Sequence, residues 1–572
     1  MTLKAPFAER YIAFCLRHRI AVLIAIGLVT AIFVYHLFFL KVGTDFFSLY
    51  PPKHPYIQLY NQYRKMFGTA NVLVCAVEVK NGTIYNIETI KKIDRITREI
   101  VATEGCNSTQ VASITHPSLK NVQVTSWGIQ ITPVMWPQLP QNNADLCRLK
   151  EGIYQNEGIR GFYVSPDDTT AAIFAGFWEE GVNPFRLYQR LMEIKAKESD
   201  QNTFIYFTGY PALYSYIYSL SRQIYIVLGI TLLVMVALLY LYFRAWPGVV
   251  LPCLSGILSG IWGIGFSSLL GYQLDPLILV VPLIITSRTL SHSVQCMARY
   301  HEEYNRLQNR EKAIIVGYGQ LLAPAGLSIL CDAVGVLMIA VVTIPLMRHL
   351  AFFCSLWLLT DFVSVLTLVP ILLTWVKPPT KDKIVRETGG GRFYHYLARA
   401  LVWPSIGKRR WVAMLITVIL LIGGGFYSLR LKVGDTQAGA ALLFSDHPYN
   451  QAFRFVNQKF VGGNQLVIIA EGKEKGVIKR GDVLALIEDF QLYMESEGGA
   501  GGSLTFTNLV KRIYRMFHEG NPKWEVIPDD PRHLGQIGFQ ISCSTQPGEM
   551  DRWVDSSWTN ATITCFYKEY NN

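Results

Sequence analysis

The sequence predicts a multi-pass α-helical membrane protein that carries α+β domains of ferredoxin-like type outside the membrane, with the arrangement begun twice along the chain. Three observations lead there. Apolar runs of bilayer-spanning length recur, in a chain that is 51% hydrophobic and 17% charged, against roughly 25% charged in an average soluble protein. Lys and Arg gather on one side of those runs. Two distant stretches repeat one order of helix, linker, helix and strand.

Residues 1–44 hold the first crossing. Lys4, Arg10, Arg17 and Arg19 precede an apolar run at 20–40. A signal peptide has this charge order, but the run is long for one and no small-residue cleavage site follows, so the spacing predicts an uncleaved transmembrane helix. Residues 45–222 are soluble in character. Strand patterns at 71–79, 121–136 and 203–208, a hairpin at 160–165 and 170–178, and helices at 87–101, 143–154 and 183–197 fit split βαβ units. Within this stretch Trp127, Trp136, Phe174 and Phe177 suit either a packed core or an apolar path.

Residues 223–376 supply five further crossings, at 224–243, 247–270, 277–297, 321–344 and 350–375. Residues 377–410 are a basic loop, in which 392–406 reads as an amphipathic helix on the membrane surface. A seventh crossing lies in 411–432, and 433–572 is a second soluble domain. With the N-terminus inside, Arg299, Arg306, Arg310, Lys312 and the basic loop all fall on the inner side, as the positive-inside rule requires. Both soluble domains then lie outside.

The formal net charge is +11. Because basic residues cluster beside apolar runs, lipid headgroups explain them better than nucleic acid, for which no recognition motif is present. No GxSxG, HExxH or P-loop pattern occurs, which argues against an enzyme. No paired metal-ligand spacing is present, and neither a metal nor a cofactor is expected. Cys106 with Cys147, and Cys543 with Cys565, are possible disulfides if their side is oxidising. Gly256 and Gly260 stand four apart in the third crossing, a spacing that lets helices approach closely in lipid.

The fourth crossing is the unusual one. Ser287, Arg288, Ser291, His292 and Gln295 recur at spacings of three and four and form a polar stripe on an apolar rod. Placing an Arg mid-membrane costs roughly 3 kcal/mol on insertion scales, and such groups mark pathways or coupling sites. The alternative is that Arg288 and His292 snorkel to the headgroups.

The repeat is carried by named blocks. Leu40, Lys41, Val42 and Gly43 after the first crossing match Leu431, Lys432, Val433 and Gly434 after the seventh. His54-Pro55-Tyr56 matches His447-Pro448-Tyr449, and FGTANVLV from Phe67 matches FVGGNQLV from Phe460. Both are followed by an amphipathic helix. The second copy has no counterpart of crossings two to six, so the expectation is a fragment of a longer protein or a half-length form that needs a partner.

This layout resembles the resistance–nodulation–division (RND) superfamily, and more narrowly the MMPL-type exporters of the bacterial inner membrane. The resemblance rests on the repeat, on Thr208-Gly209-Tyr210-Pro211-Ala212 before the second crossing, and on the fourth crossing. It implies a bundle of two pseudo-symmetric halves with porter domains outside, and an N-terminus in the cytoplasm. It further implies export of hydrophobic or lipid-like molecules driven by a proton gradient, with homo-oligomeric and periplasmic partners. The family's better-known members carry an Asp pair or Asp-Tyr midway along the fourth crossing, where this chain reads Thr286-Ser287-Arg288. Arg cannot release a proton, so the carrier is Asp332, Asp361 or His292. We expect Arg288 to pair with Asp332, with His292 or Asp361 completing a relay. Against this stands a fixed ion pair without proton traffic, and, for function as a whole, a membrane sensor or assembly scaffold that keeps the fold without transport.

Overall fold

The computed structural model describes residues 7–568 except 42, 44–48, 126–127, 136–137, 157, 180–181, 275–279, 379–395, 397–398, 401, 404–406, 408–409, 432–438, 546–547 and 549. The chain forms two compact units. One, all helical, takes Met1–Ile57 with Leu220–Leu431; the other, sheet-bearing, takes Gln58–Ser219 with Lys432–Asn572.

In chain order the elements begin with α1 (Phe7–Arg17), α2 (Arg19–Leu37), α3 (Pro55–Phe67), β1 (Val72–Val79), α4 (Ile87–Val101) and β2 (Cys106–Ala112). Next come β3 (Lys120–Thr125), β4 (Gly128–Pro133), α5 (Asn143–Tyr154), β5 (Thr170–Phe177), α6 (Pro184–Glu198), β6 (Thr203–Gly209) and α7 (Tyr210–Ser219). The long helices follow: α8 (Ser221–Phe243), α9 (Pro247–Leu269), α10 (Val280–Leu307), α11 (Arg310–Leu337), α12 (Pro345–Leu373) and α13 (Arg410–Ser428). The chain continues with α14 (Pro448–Lys459), β7 (Asn464–Glu471), α15 (Gly481–Ser496), β8 (Gly502–Thr505), α16 (Phe506–Phe517), α17 (Pro531–Ser544) and β9 (Asn560–Tyr567).

Among the described residues, six helices are long and apolar enough to cross a membrane: α2, the continuous run Tyr210–Phe243, α9, α11 with its 3-10 extension to Val341, α12 and α13. The expected fourth crossing, α10, is not one of them. It packs against both α9 and α11, but it runs past the expected end at 297 to Leu307 in a charged segment. There Arg299 pairs with Glu302 at 2.5 Å and Glu303 at 3.1 Å, and Arg306 pairs with Glu303 at 2.7 Å. Pairs at three and four residues apart lie on one helix face and sustain the helix beyond its apolar part.

The core of the helical unit gathers Ile12 from α1, Phe243 from α8, Met297 and Tyr300 from α10, Tyr318 from α11 and Val365 from α12. A second cluster joins Ile285, Ala333, Phe353 and Trp357. The close approaches along α9 are not at Gly256 and Gly260. A Cβ there would meet Thr286 at 3.4 Å and Trp357 at 3.6 Å, which is ordinary contact. At Gly263 it would lie 2.3 Å from the buried Trp357 ring, and at Gly265 2.7 Å from Phe33 Cβ. At Gly248 it would lie 2.3 Å from Phe243 Cβ. These three positions set the spacing of α9 from its neighbours, because a core as dense as a crystal has no room for another methyl. Within α12, Ser364–Leu368 forms a π-helical turn. Such turns insert one residue into a helix and re-aim its neighbours, often at functional sites.

In the sheet-bearing unit, the first sheet has the antiparallel order β2-β5-β1-β6. Central β1 is buried along nearly its whole length. Helix α4 turns Ile90, Ile93, Ile96 and Ile100 inward, and α6 also packs on the sheet. Asn86 caps α4 by accepting from the Thr89 amide at 2.7 Å, a bond worth about 1 kcal/mol. The expected hairpin at 160–165 and 170–178 is reduced to its base: Val164 bridges Ala171, the Ser165 amide donates to the Thr170 carbonyl at 2.9 Å and the Ala172 amide to the Tyr163 carbonyl at 2.8 Å. Beyond it, from Phe174 to Phe177, that edge of β5 pairs with β2 instead.

The second sheet has the order β7-β9-β8. Here β7 lies at the edge, with Leu466 and Val467 exposed, whereas β1 is central. The two stretches fold as a single unit. Lys459 Nζ meets Asp167 at 2.6 Å, and the rings of Tyr206 and Phe455 stack at 4.3 Å. Burial pushes the Asp167 carboxyl up, but Lys459, Ser165 and Thr169 together hold it well below the usual carboxylate range. His54 and His447 play one local role, each accepting at Nδ1 from the amide two residues on, at 3.2 Å, where α3 and α14 begin.

The four cysteines of the two possible disulfides are all free. Their settings explain why: Cys565 is fully buried in β9 while Cys543 is exposed on α17, and Cys106 is part-buried on β2 while Cys147 is exposed on α5. Phe174 and Phe177 are packed into the sheet core. Trp127, Trp136 and most of the surface helix expected at 392–406 lie outside the described residues.

Candidate functional site

Helix α10 presents two polar faces. On the face turned out from the described helices stand Ser287, Arg288, Ser291 and Gln295. Arg288 Nη2 lies 2.7 Å from Asp332 Oδ2 on α11, and its Nε lies 2.8 Å from the same oxygen. Arg288 Nη2 also donates to Ser328 at 3.1 Å, one turn before Asp332 on the same helix. The pair is therefore fixed from three directions, with side chains 44% and 33% exposed within the chain. Ser287 turns its hydroxyl back to the Ile284 carbonyl at 2.7 Å.

The opposite face is buried and carries Thr289, His292 and Ser293. Thr289 Oγ1 donates to Asp361 Oδ1 at 2.8 Å. Ser259 of α9 donates to the same oxygen at 3.1 Å, and Ser364 of α12 at 3.4 Å. Thr360 joins through its hydroxyl, 2.8 Å from that of Ser259. Asp361 is fully buried, immediately before the π-helical segment, and its Oδ2 has no hydrogen-bond partner among the described residues. One wall of this pocket is tied by a Ser255–Ser293 hydroxyl contact at 3.0 Å.

His292 is buried, and neither ring nitrogen has a partner among the described residues. It lies within the electrostatic reach of both Arg288 and Asp332, and Asp361 lies within that of Arg288. Two carboxylates thus flank one helix in different surroundings. Asp332 has a guanidinium against it. Asp361 has hydroxyl groups only, and an ionised carboxylate buried without a cation is costly enough that a proton is its natural countercharge. Among the described residues no group of three or more His, Cys, Asp and Glu converges as a metal would require.

The sequence pattern points to Arg288, His292, Asp332 and Asp361, but not to Ser259, Thr289, Thr360 or Ser364. Single hydroxyl residues in apolar helices commonly bond their own backbone. Only the packing of α9, α10 and α12 reveals that Ser259, Thr289 and Ser364 converge on one acid, with Thr360 bonded to Ser259.

Long apolar helices around a buried polar site define a multi-pass membrane protein. Residues 153–413, the stretch that holds Arg288, Asp332 and Asp361, match the model of the MMPL family. A Methanocaldococcus jannaschii chain, MJ1562, whose name describes it only by its membrane character, is 27% identical over 136 residues. That match spans 24% of this chain and 35% of the relative.

Proposed function

We propose that this chain is an RND-type membrane transporter that moves hydrophobic or lipid-like molecules at the expense of a proton gradient, with Asp361 as the proton-carrying group. One observation carries the reading: a carboxyl group with no exposed surface, held by three hydroxyls on one oxygen and by nothing described on the other. Hydroxyl groups serve both protonation states, since each both donates and accepts. They hold the ionised acid by donating and can accept from Oδ2 once it is protonated. Taking up or losing the proton changes what α9, α10 and α12 bind in common, which is the coupling that a transport cycle needs. Arg288 and Asp332 act in this reading as a fixed ion pair that keeps α10 in register with α11.

The finer features follow on the same footing. The strand order β2-β5-β1-β6, with α4 and α6 packed on the sheet, supports a ferredoxin-like porter domain. The recurrence of helix, strand and helix in α3-β1-α4 and α14-β7-α15 supports an internal duplication. The charge asymmetry supports a cytoplasmic N-terminus and loop 377–410, with the porter domains across a bacterial inner membrane. The outward polar face of α10 supports a further protein partner, a second copy included.

The test is flux in proteoliposomes with and without an imposed proton gradient. Asp361→Asn removes the exchangeable proton and keeps the shape. Its gradient-driven flux should fall at least about 100-fold, while Asp332→Asn keeps most of its response to the gradient. A gradient response that survives Asp361→Asn and vanishes in Asp332→Asn refutes the assignment.

A further inference from the structure

Helix α1 turns one face to the protein and the opposite face away from it. Ile12 and Cys15 are buried, and Ile12 belongs to the core of the helical unit. The backbone of α1 runs close to α11: a Cβ on Gly319 would lie 2.7 Å from Glu9 Cγ and 3.3 Å from Glu9 Cα. Phe7, Arg10, Phe14 and Arg17 stand at spacings of three, four and three and share the opposite face. All four are exposed, Phe7 by 78% and Phe14 by 59%. His18 alone separates α1 from α2, and its backbone (φ −104°, ψ 29°) leaves the helical region. Arg19 then places its guanidinium 5.9 Å from the centroid of the Trp375 ring, just past the end of α12.

A face that only met water would not carry two Phe rings, and a face that only met acyl chains would not carry two arginines. Aromatic and basic residues alternating on one face of a short helix suit the boundary between headgroups and acyl chains. There the rings enter the apolar layer and the guanidinium groups meet phosphates. The other side of α1 leads to α12. Tyr11 Oη lies 2.8 Å from Thr367 Oγ1. Thr367 stands in the π-helical turn Ser364–Leu368, and its hydroxyl donates to the Phe362 carbonyl at 2.9 Å. With that proton committed, Tyr11 is the donor to Thr367. Phe362 follows Asp361 directly in the chain. One hydroxyl therefore ties α1 to the backbone beside the buried acid, at a turn where the regular helical bonding is interrupted.

We propose that α1 docks on anionic phospholipid headgroups of the cytoplasmic leaflet and relays that contact through Tyr11 and Thr367 to the backbone beside Asp361. Charge complementarity selects the occupant. Arg10 and Arg17 lie on the exposed face and Arg19 follows it, whereas the one carboxylate of α1, Glu9, is set against α11. A zwitterionic headgroup also offers a phosphate, but its own ammonium competes with the guanidinium groups; an anionic headgroup has no such rival. Tyr11 is a positioning residue in this scheme, since it touches neither the lipid nor the acid. The side of the membrane and the importance of Asp361 rest on the transport reading, but docking and relay are measured without flux, so either can fail alone.

The experiment uses the full chain in phosphatidylcholine nanodiscs doped with photoreactive phosphatidylglycerol or photoreactive phosphatidylcholine, with adducts mapped by peptide mass spectrometry. Residues 7–19 should take at least about 10-fold more of the anionic probe, and Arg17→Gln should cut that preference about 5-fold, the worth of one basic residue near an anionic surface. The comparison of the two probes needs no variant, so a folding defect does not decide the outcome. Inorganic phosphate, which has no acyl chain for Phe7 and Phe14 to meet, should not displace the probe. Equal labelling by the two probes, or displacement by phosphate, overturns the docking. For the relay, hydrogen exchange of the peptide spanning 361–373 should slow about 3-fold when the nanodisc lipid is changed from phosphatidylcholine to phosphatidylglycerol. Tyr11→Phe keeps the ring and should abolish that slowing while keeping the labelling. Slowing that persists in Tyr11→Phe, or is absent from the wild type, overturns the relay. Asp361→Asn should keep the labelling while losing gradient-driven flux. Full flux in that variant with labelling intact would sink the transport reading and leave the docking standing.

Discussion

The two faces of α10 use polar residues in opposite ways. Outward, Arg288 and Asp332 satisfy each other, with Ser328 as a third contact. Inward, Thr289 serves an acid that no cation touches among the described residues. The outward face is a closed electrostatic circuit. The inward face holds its acid by hydroxyl groups alone among the described residues, and in the proposed reading a proton completes it. A membrane helix can therefore be polar on two sides for two reasons, with its most conspicuous charge on the side that holds structure.

The largest effect on stability should come from splitting the outward pair. Arg288→Met leaves Asp332 without its cation, and a lone Asp at mid-helix costs roughly 3 kcal/mol on insertion scales. Unfolding of the purified chain in mixed micelles should show a loss of about 2–3 kcal/mol. Adding Asp332→Leu should recover more than half of it, because removing both partners leaves no uncompensated charge. If the double variant is no better than the single one, the pair is not the closed circuit described here.

A smaller effect, seen in transport rather than stability, should come from the inward face. Thr289→Val keeps the shape of the side chain and removes the 2.8 Å bond to Asp361. A hydrogen bond to a charged group is worth roughly 1.5–3 kcal/mol, so gradient-driven flux should fall about 10-fold or more. Ser291→Ala, two residues along on the outward face, should leave flux unchanged. Equal losses in the two variants would erase the distinction between the faces.

How far this was legible in the sequence depends on the residue. Arg288 and Asp332 stand out because an ionisable residue in an apolar run is rare, and the helix period places Arg288 in a stripe with Ser291 and Gln295. The MMPL match over residues 153–413 covers this part of the chain. Thr289 is adjacent to Arg288 in sequence, yet it turns about 100° away on the helix. Its role depends on Asp361, far along the chain. The π-helical turn has no local signature in Ser364–Leu368, and the Ser364 hydroxyl at its start donates to the acid. The length of α10 is hidden in the sequence for a related reason. An apolar run shows where lipid ends, whereas the helix goes on as long as its ion pairs sustain it. At α9 the GxxxG spacing points to Gly256 and Gly260, while contact distance points to Gly248, Gly263 and Gly265, because the neighbouring side chain decides which glycine is indispensable.

The smallest expected effect bears most directly on what lies against the outward face. Gln295 is exposed on the outward face of α10. In the isolated chain, Gln295→Leu removes no internal contact and exchanges a polar side chain for one that lipid solvates well. Stability in micelles should therefore hold or rise, by no more than about 1 kcal/mol. In native membranes the same variant should behave differently if a polar surface covers this face. Interhelical hydrogen bonds in membranes average about 0.6 kcal/mol each, so the substitution would then weaken association without weakening the fold. Crosslinking yield between copies, compared for the wild type and Gln295→Leu, separates the two conditions. Reduced yield with unchanged unfolding locates the contact on this face; unchanged yield returns the outward stripe to lipid headgroups and water.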